Sequence, residues 1–61
     1  MTVFMVEFDL VTRTFIVVSR DYSEPECHRP GARGFHSKSD ADQLALSENT
    51  RMEEANARSL P

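Results

Sequence analysis

A chain of 61 residues with a net charge of −3 and a single cysteine excludes several classes at the outset. A domain this small buries only about 60% of the surface its unfolded chain exposes, which leaves little wall for a catalytic pocket. The lone Cys27 excludes an intramolecular disulfide, the mild acidity argues against a general nucleic-acid binder, and apolar runs of at most four residues are too short to span a membrane.

The first element is a strand over residues 3–10. Phe4, Val6, Phe8 and Leu10 alternate with Val3, Met5, Glu7 and Asp9, the period-2 pattern of a half-buried strand. Glu7 and Asp9 also interrupt the N-terminal apolar stretch too early for a signal peptide. Residues 14–20 predict a second strand, rich in β-branched side chains, with Phe15, Val17 and Ser19 on one side and Thr14, Ile16, Val18 and Arg20 on the other. The link between them lacks an Asn-Gly or Asp-Gly pair, so a connection of three to five residues around Thr12 and Arg13 is expected in place of a two-residue primed turn. Both faces of this hairpin carry apolar residues. One face is expected to meet a helix. The other leaves Val3 and Met5, with Phe15 and Val17 or with Ile16 and Val18, as a face for self-association or for a partner. Val3, Met5, Phe15 and Val17 are the candidate set.

Residues 21–36 form a central loop punctuated by Pro25, Pro30, Gly31 and Gly34. A short third strand is expected at 33–36, because an isolated two-stranded ribbon is marginal in water. The loop is the basic part of the chain. Residues 28–38 hold Arg29, Arg33 and Lys38 with no acid, whereas residues 1–27 and 39–61 each hold five acids and two bases. Arg29, Arg33 and Lys38, with the aromatic Phe35, are the candidate binding residues for an acidic protein surface or for phosphate. Cys27, His28 and His36 are the only cluster with metal-binding chemistry, with Asp40 as a fourth ligand. Their spacing matches no structural zinc pattern, so no metal or cofactor is assigned. A cysteine beside histidines also suggests a nucleophile and base, but such a pair needs a pocket and an orienting third group. No catalytic residues are assigned and the chain is not read as an enzyme.

A helix is expected to start near residue 38, behind a capping-box-like Ser37-Lys38-Ser39-Asp40. Ala41, Leu44, Ala45, Met52 and Ala55 fall on an arc of about 100°. Glu48 sits inside that arc. Either it pairs with Arg51 or Arg20 at the rim, or the helix breaks near 47–50, where Thr50-Arg51-Met52-Glu53 offers a second capping box. Leu46, Ala57 and Leu60 fall on the opposite side. Asp40, Asp42, Glu48, Glu53 and Glu54 spread around the axis, which gives weak support to mimicry of a phosphate array.

The expected fold is a single α+β domain over 1–61: an N-terminal antiparallel β-hairpin packed against a C-terminal helix, ββα, or βββα with the third strand. The expected function is that of a small cytoplasmic interaction protein, a regulator or inhibitor docking on a larger protein or complex, with a homodimer through the surplus sheet face. Chains of this size are common among phage and mobile-element accessory proteins acting on host or defence machinery, where the location would be the host cytoplasm. The alternative is a nucleic-acid-binding regulator using the loop at 28–38.

Overall fold

The computed structural model describes residues 1–59, so Leu60 lies outside the described residues. Strand β1 spans Thr2–Asp9 and β2 spans Thr14–Asp21. They pair antiparallel from Thr2↔Asp21 to Asp9↔Thr14. A two-residue β3, Gly34–Phe35, joins the other edge of β1 through Phe4↔Phe35 and Met5↔Gly34. The sheet order is β2-β1-β3. Helix α1 runs without interruption from Lys38 to Ser59. The chain is therefore α+β with the third strand present. No helix among the described residues is long and apolar enough to cross a membrane.

The register decides what alternation leaves open. Partners directly across a pair share a face. Phe4, Val6, Phe8, Phe15, Val17 and Phe35 thus lie on one face, and Val3, Met5, Glu7, Ile16, Val18 and Arg20 on the other. Helix α1 covers the phenylalanine face, where Leu44 and Glu48 meet Val6 and Phe15 across a shallow groove. Ala41 and Ala45 are buried there, with Leu44 and Met52 half-buried. Small residues at two successive turns let the helix approach closely. Ala55, placed on the same stripe, is exposed. The reason is length: 22 residues of helix extend about 33 Å, beyond the sheet. Its last turns are held by solvent-side pairs such as Arg58 with Glu54.

The N-terminal part of the other face, Val3 and Met5, is covered by the chain's own central segment, while Ile16 on the same face stays exposed. A 3-10 turn at Pro25–His28 and the stretch after it cross over Val3 and Met5, which are 5% and 3% exposed. Arg29-Pro30-Gly31-Ala32 turns back, with the Ala32 N–H donating to the Arg29 carbonyl at 3.0 Å and Gly31 at φ +83°. That is the arrangement of a type II turn, with proline second and a glycine supplying positive φ third. Gly34 lets this crossing lie close, since a Cβ there would sit 3.3 Å from Met5 Sδ and 3.6 Å from Val3 Cβ. Arg20 closes the layer by donating to both carboxylate oxygens of Glu7 and to Glu24.

The helix does not break at 47–50. Glu48 stays half-buried at the rim and accepts from Arg51 at 3.2 Å. The second capping box is not used, because the Thr50 hydroxyl donates to the Leu46 carbonyl one turn back, at 2.9 Å. Asn49 does the most. Its Oδ1 accepts from the Phe15 N–H at 2.6 Å and its Nδ2 donates to the Phe15 carbonyl at 3.0 Å. The side-chain amide thus stands where a neighbouring strand would, on the outer edge of β2.

Candidate interaction surface

The connection between the first two strands is the four residues Leu10–Arg13, within the expected range. Asp9 organises it. Its Oδ1 accepts from the Val11 N–H at 3.0 Å and its Oδ2 from the Thr12 hydroxyl at 3.2 Å. The Thr12 and Thr14 hydroxyls bond at 2.8 Å. Arg13 takes the left-handed conformation, φ +57°. An aspartate bonding its own backbone two residues on is an Asx-turn, which stiffens a tight connection.

This built turn displays two aliphatic side chains. Leu10 is 81% and Val11 91% exposed. Phe8 is partly exposed nearby, its ring edge-to-face with Phe15 at 5.2 Å. Arg13 is exposed and makes no hydrogen bond or ion pair among the described residues. Scattered surface apolar residues are ordinary. Adjacent aliphatics at the apex of a hydrogen-bonded turn are different, because the backbone there has no packing use for them. Sequence reading placed Leu10 on the strand's alternation and gave Val11 no role. The signal available was the absence of any turn-forming Gly or Asn in Leu10-Val11-Thr12-Arg13.

The candidate partner face does not exist as one surface. Val3 and Met5 lie under the central segment, while Phe15 and Val17 lie on the opposite face and are half-buried beside the helix. The register separates the two pairs and groups Val3 and Met5 with Ile16 and Val18 instead, a face on which the central segment buries Val3 and Met5 and leaves Ile16 exposed.

The basic residues are only partly gathered. The Arg33 guanidinium lies 5.8 Å from the Phe35 ring centre, within cation–π range. Arg33 lines the helix-side groove that contains Glu48. Arg29 is exposed in an adjoining groove with Glu26 and Pro30, which shares Val6 and Gly31 with the helix-side groove. Lys38 is taken by Asp42 one helical turn on, at 3.0 Å.

The metal candidates are also dispersed in role. Among the described residues no three His, Cys, Asp or Glu side chains could jointly hold an ion. His28 bonds the Tyr22 carbonyl through Nε2 at 2.8 Å and packs its ring edge-to-face on Tyr22. Cys27 Sγ donates to the Asp21 carbonyl at 3.4 Å. Desolvation pushes its thiol above the ordinary range, and the Glu24 carboxylate adds to this. Asp21 is held below the usual carboxylate range by the Ser23 N–H and then the Ser23 hydroxyl.

Cys27 and His36 do share one feature. With Met1, Val3, Met5, Tyr22, Ala32 and Gly34 they line an open concavity of about 400 Å³. It lies where β1 begins and β2 ends, so the apex and the concavity occupy opposite ends of the hairpin. No family model, no curated protein and no solved structure matches this chain.

Proposed function

We propose that this chain is a non-enzymatic interaction protein, a regulator or inhibitor that docks on a larger protein through the apex of its hairpin, and that it works in the cytoplasm. One observation carries this reading: Leu10 and Val11 stand out in solvent on a turn held by Asp9, Thr12 and Thr14. A preorganised apolar knob loses little conformational freedom on binding. A convex pair of aliphatics suits a pocket on a partner, which is the arrangement of interface anchors. The unpaired Arg13 beside it favours an acidic rim around that pocket.

The nucleic-acid alternative has less support. Of its three cations, Lys38 is bound to Asp42, and Arg29 and Arg33 lie in different grooves beside Glu26 and Glu48. The test is capture from the source cells with the wild-type chain and with a Leu10→Ser, Val11→Ser double variant. A component retained by the wild type and released by the variant is the expected result. Retention that ignores both substitutions refutes the apex, and release by salt alone moves the weight to Arg29 and Arg33.

A further inference from the structure

We propose that a second copy of this chain adds its β2 to the open edge of β2, antiparallel and about a two-fold axis through Ser19, so that two three-stranded sheets become one of six strands. This contact leaves the apex free and does not depend on it.

The backbone fixes where a strand can be added. Both hydrogen bonds from Asn49 reach Phe15 on the outer edge of β2, so the N–H and C=O of every second residue after it, Val17, Ser19 and Asp21, aim the same way. At Asp21 the carbonyl accepts from the Glu24 N–H at 2.9 Å, where the chain turns away. Between these two caps the N–H and C=O of Val17 and Ser19 find no partner among the described residues, and the Ser19 side chain is exposed. Outward donors and acceptors left unpaired along a strand are a template for another extended chain.

The side chains and the caps select a second copy as that chain. Ile16 and Tyr22 are 36% and 44% exposed. They share one face of β2, since Tyr22 continues the ladder through its N–H bond to the Met1 carbonyl at 2.7 Å. Each lies three residues from Ser19. A two-fold axis there sets Ile16 of each copy opposite Tyr22 of the other, an aromatic–β-branched pairing that stabilises antiparallel strands. Ser19 exchanges hydrogen bonds with its counterpart, and each Val17 carbonyl accepts from the second copy's Asp21 N–H. The length fits as well. In this register the position opposite Phe15, where the Asn49 amide stands, falls to the second copy's Ser23, beyond the end of β2 at Asp21. A longer strand would run into Asn49. A foreign strand would have to match these features through its own sequence, whereas a second copy matches them by symmetry. The contact is small, so association is weak and concentration-dependent.

Sedimentation equilibrium from about 10 µM to about 1 mM brackets weak association, and circular dichroism checks that each variant is folded. The wild type is expected to rise from its monomer mass of 6.9 kDa toward twice that mass and stop there. Ile16→Lys sets a charge against the second copy's Tyr22. Ser19→Pro removes an outward N–H that its own chain does not use, a change that edge strands tolerate. Each should weaken association about tenfold or more, while a Leu10→Ser, Val11→Ser variant associates like the wild type. The register has its own readout. In a Cys27→Ser background, Ser19→Cys places two thiols across the axis at about 5.5 Å between Cα atoms, within reach of a disulfide. Ile16→Cys leaves its two thiols about 20 Å apart at roughly 3.3 Å per residue. Under oxidised glutathione the first should become a covalent dimer and the second should not. A wild type that is monomeric at about 1 mM overturns the inference. So does a folded Ile16→Lys or Ser19→Pro variant that associates like the wild type, loss of association on changing the apex, or equal crosslinking from positions 16 and 19. These readouts use only pure protein, so they can fail while partner capture through the apex stands, and the reverse.

Discussion

Replacing Asn49 by Ala should destabilise the fold measurably. Two hydrogen bonds disappear, one in each direction between the Asn49 amide and the Phe15 backbone. At about 1 kcal/mol net each, their loss costs roughly 2 kcal/mol. Alanine returns about 0.5 kcal/mol through better helix propensity. The net loss is therefore about 1.5 kcal/mol. A 61-residue domain has on the order of 3–9 kcal/mol in total, and at roughly 4–8 °C per kcal/mol the midpoint should fall by about 6–12 °C. Thermal denaturation followed by circular dichroism measures it. Asn49→Asp sharpens the test. It keeps an acceptor for the Phe15 N–H but sets a carboxylate oxygen against the Phe15 carbonyl, so it should cost at least as much at neutral pH. Protonating that new carboxyl restores a donor. Its folded pKa is thereby raised above the unfolded value, so the variant should regain stability relative to wild type as pH falls through that folded pKa. An Ala variant within about 0.5 kcal/mol of wild type, or an Asp variant with no pH-dependent recovery, would refute the idea that this amide holds the edge of β2.

Three other outcomes follow from the same contacts. Gly34→Ala should cost up to about 1 kcal/mol, because its Cβ would press on Met5 Sδ at 3.3 Å, and Gly34→Val about 1–3 kcal/mol, the usual range for overpacking; equal melting curves would show that the central segment does not lie tightly on β1. Glu7 is held below the usual carboxylate range chiefly by its hydrogen bonds to Arg20. Its contribution is thus fully present above the unfolded pKa and lost as pH falls through the depressed folded value, so Glu7→Gln should flatten the acid side of a stability–pH profile, and an unchanged slope would contradict the pairing. Arg13→Glu should slow association with a partner whose pocket has an acidic rim and reduce its salt dependence, whereas Arg29→Glu with Arg33→Glu should leave it near wild type; the reverse pattern would move the contact to the loop.

The strands, the proline- and glycine-marked segment and the helix start were legible because each rests on local chemistry. Alternation along Phe4-Met5-Val6-Glu7-Phe8 reports a strand whatever lies across from it. Which face meets the helix was not legible, since that depends on register, and register is a long-range property. The same limit explains the divided set of Val3, Met5, Phe15 and Val17. Loop composition cannot say that residues 22–33 fold back over Val3 and Met5 on one sheet face. Asn49 looked like a helix breaker beside Ser47 and Glu48, and Thr50 like a new cap. Both residues hydrogen-bond backbone groups readily, and only the position of Phe15 and the Leu46 carbonyl decides which bonds they make. The site was the least legible part: a solvated aliphatic at a turn has no periodicity to betray it.

The most direct measurement of the docking account is site-specific photo-crosslinking in the source cells, with a photoreactive side chain at Val11 or at Leu46. Both positions are exposed and apolar, but Leu46, at 68% exposure, belongs to helix α1 and not to the turn. The account predicts one discrete larger adduct from position 11 and none from position 46. Equal adducts from both positions, or none from position 11 while position 46 reacts, would contradict it.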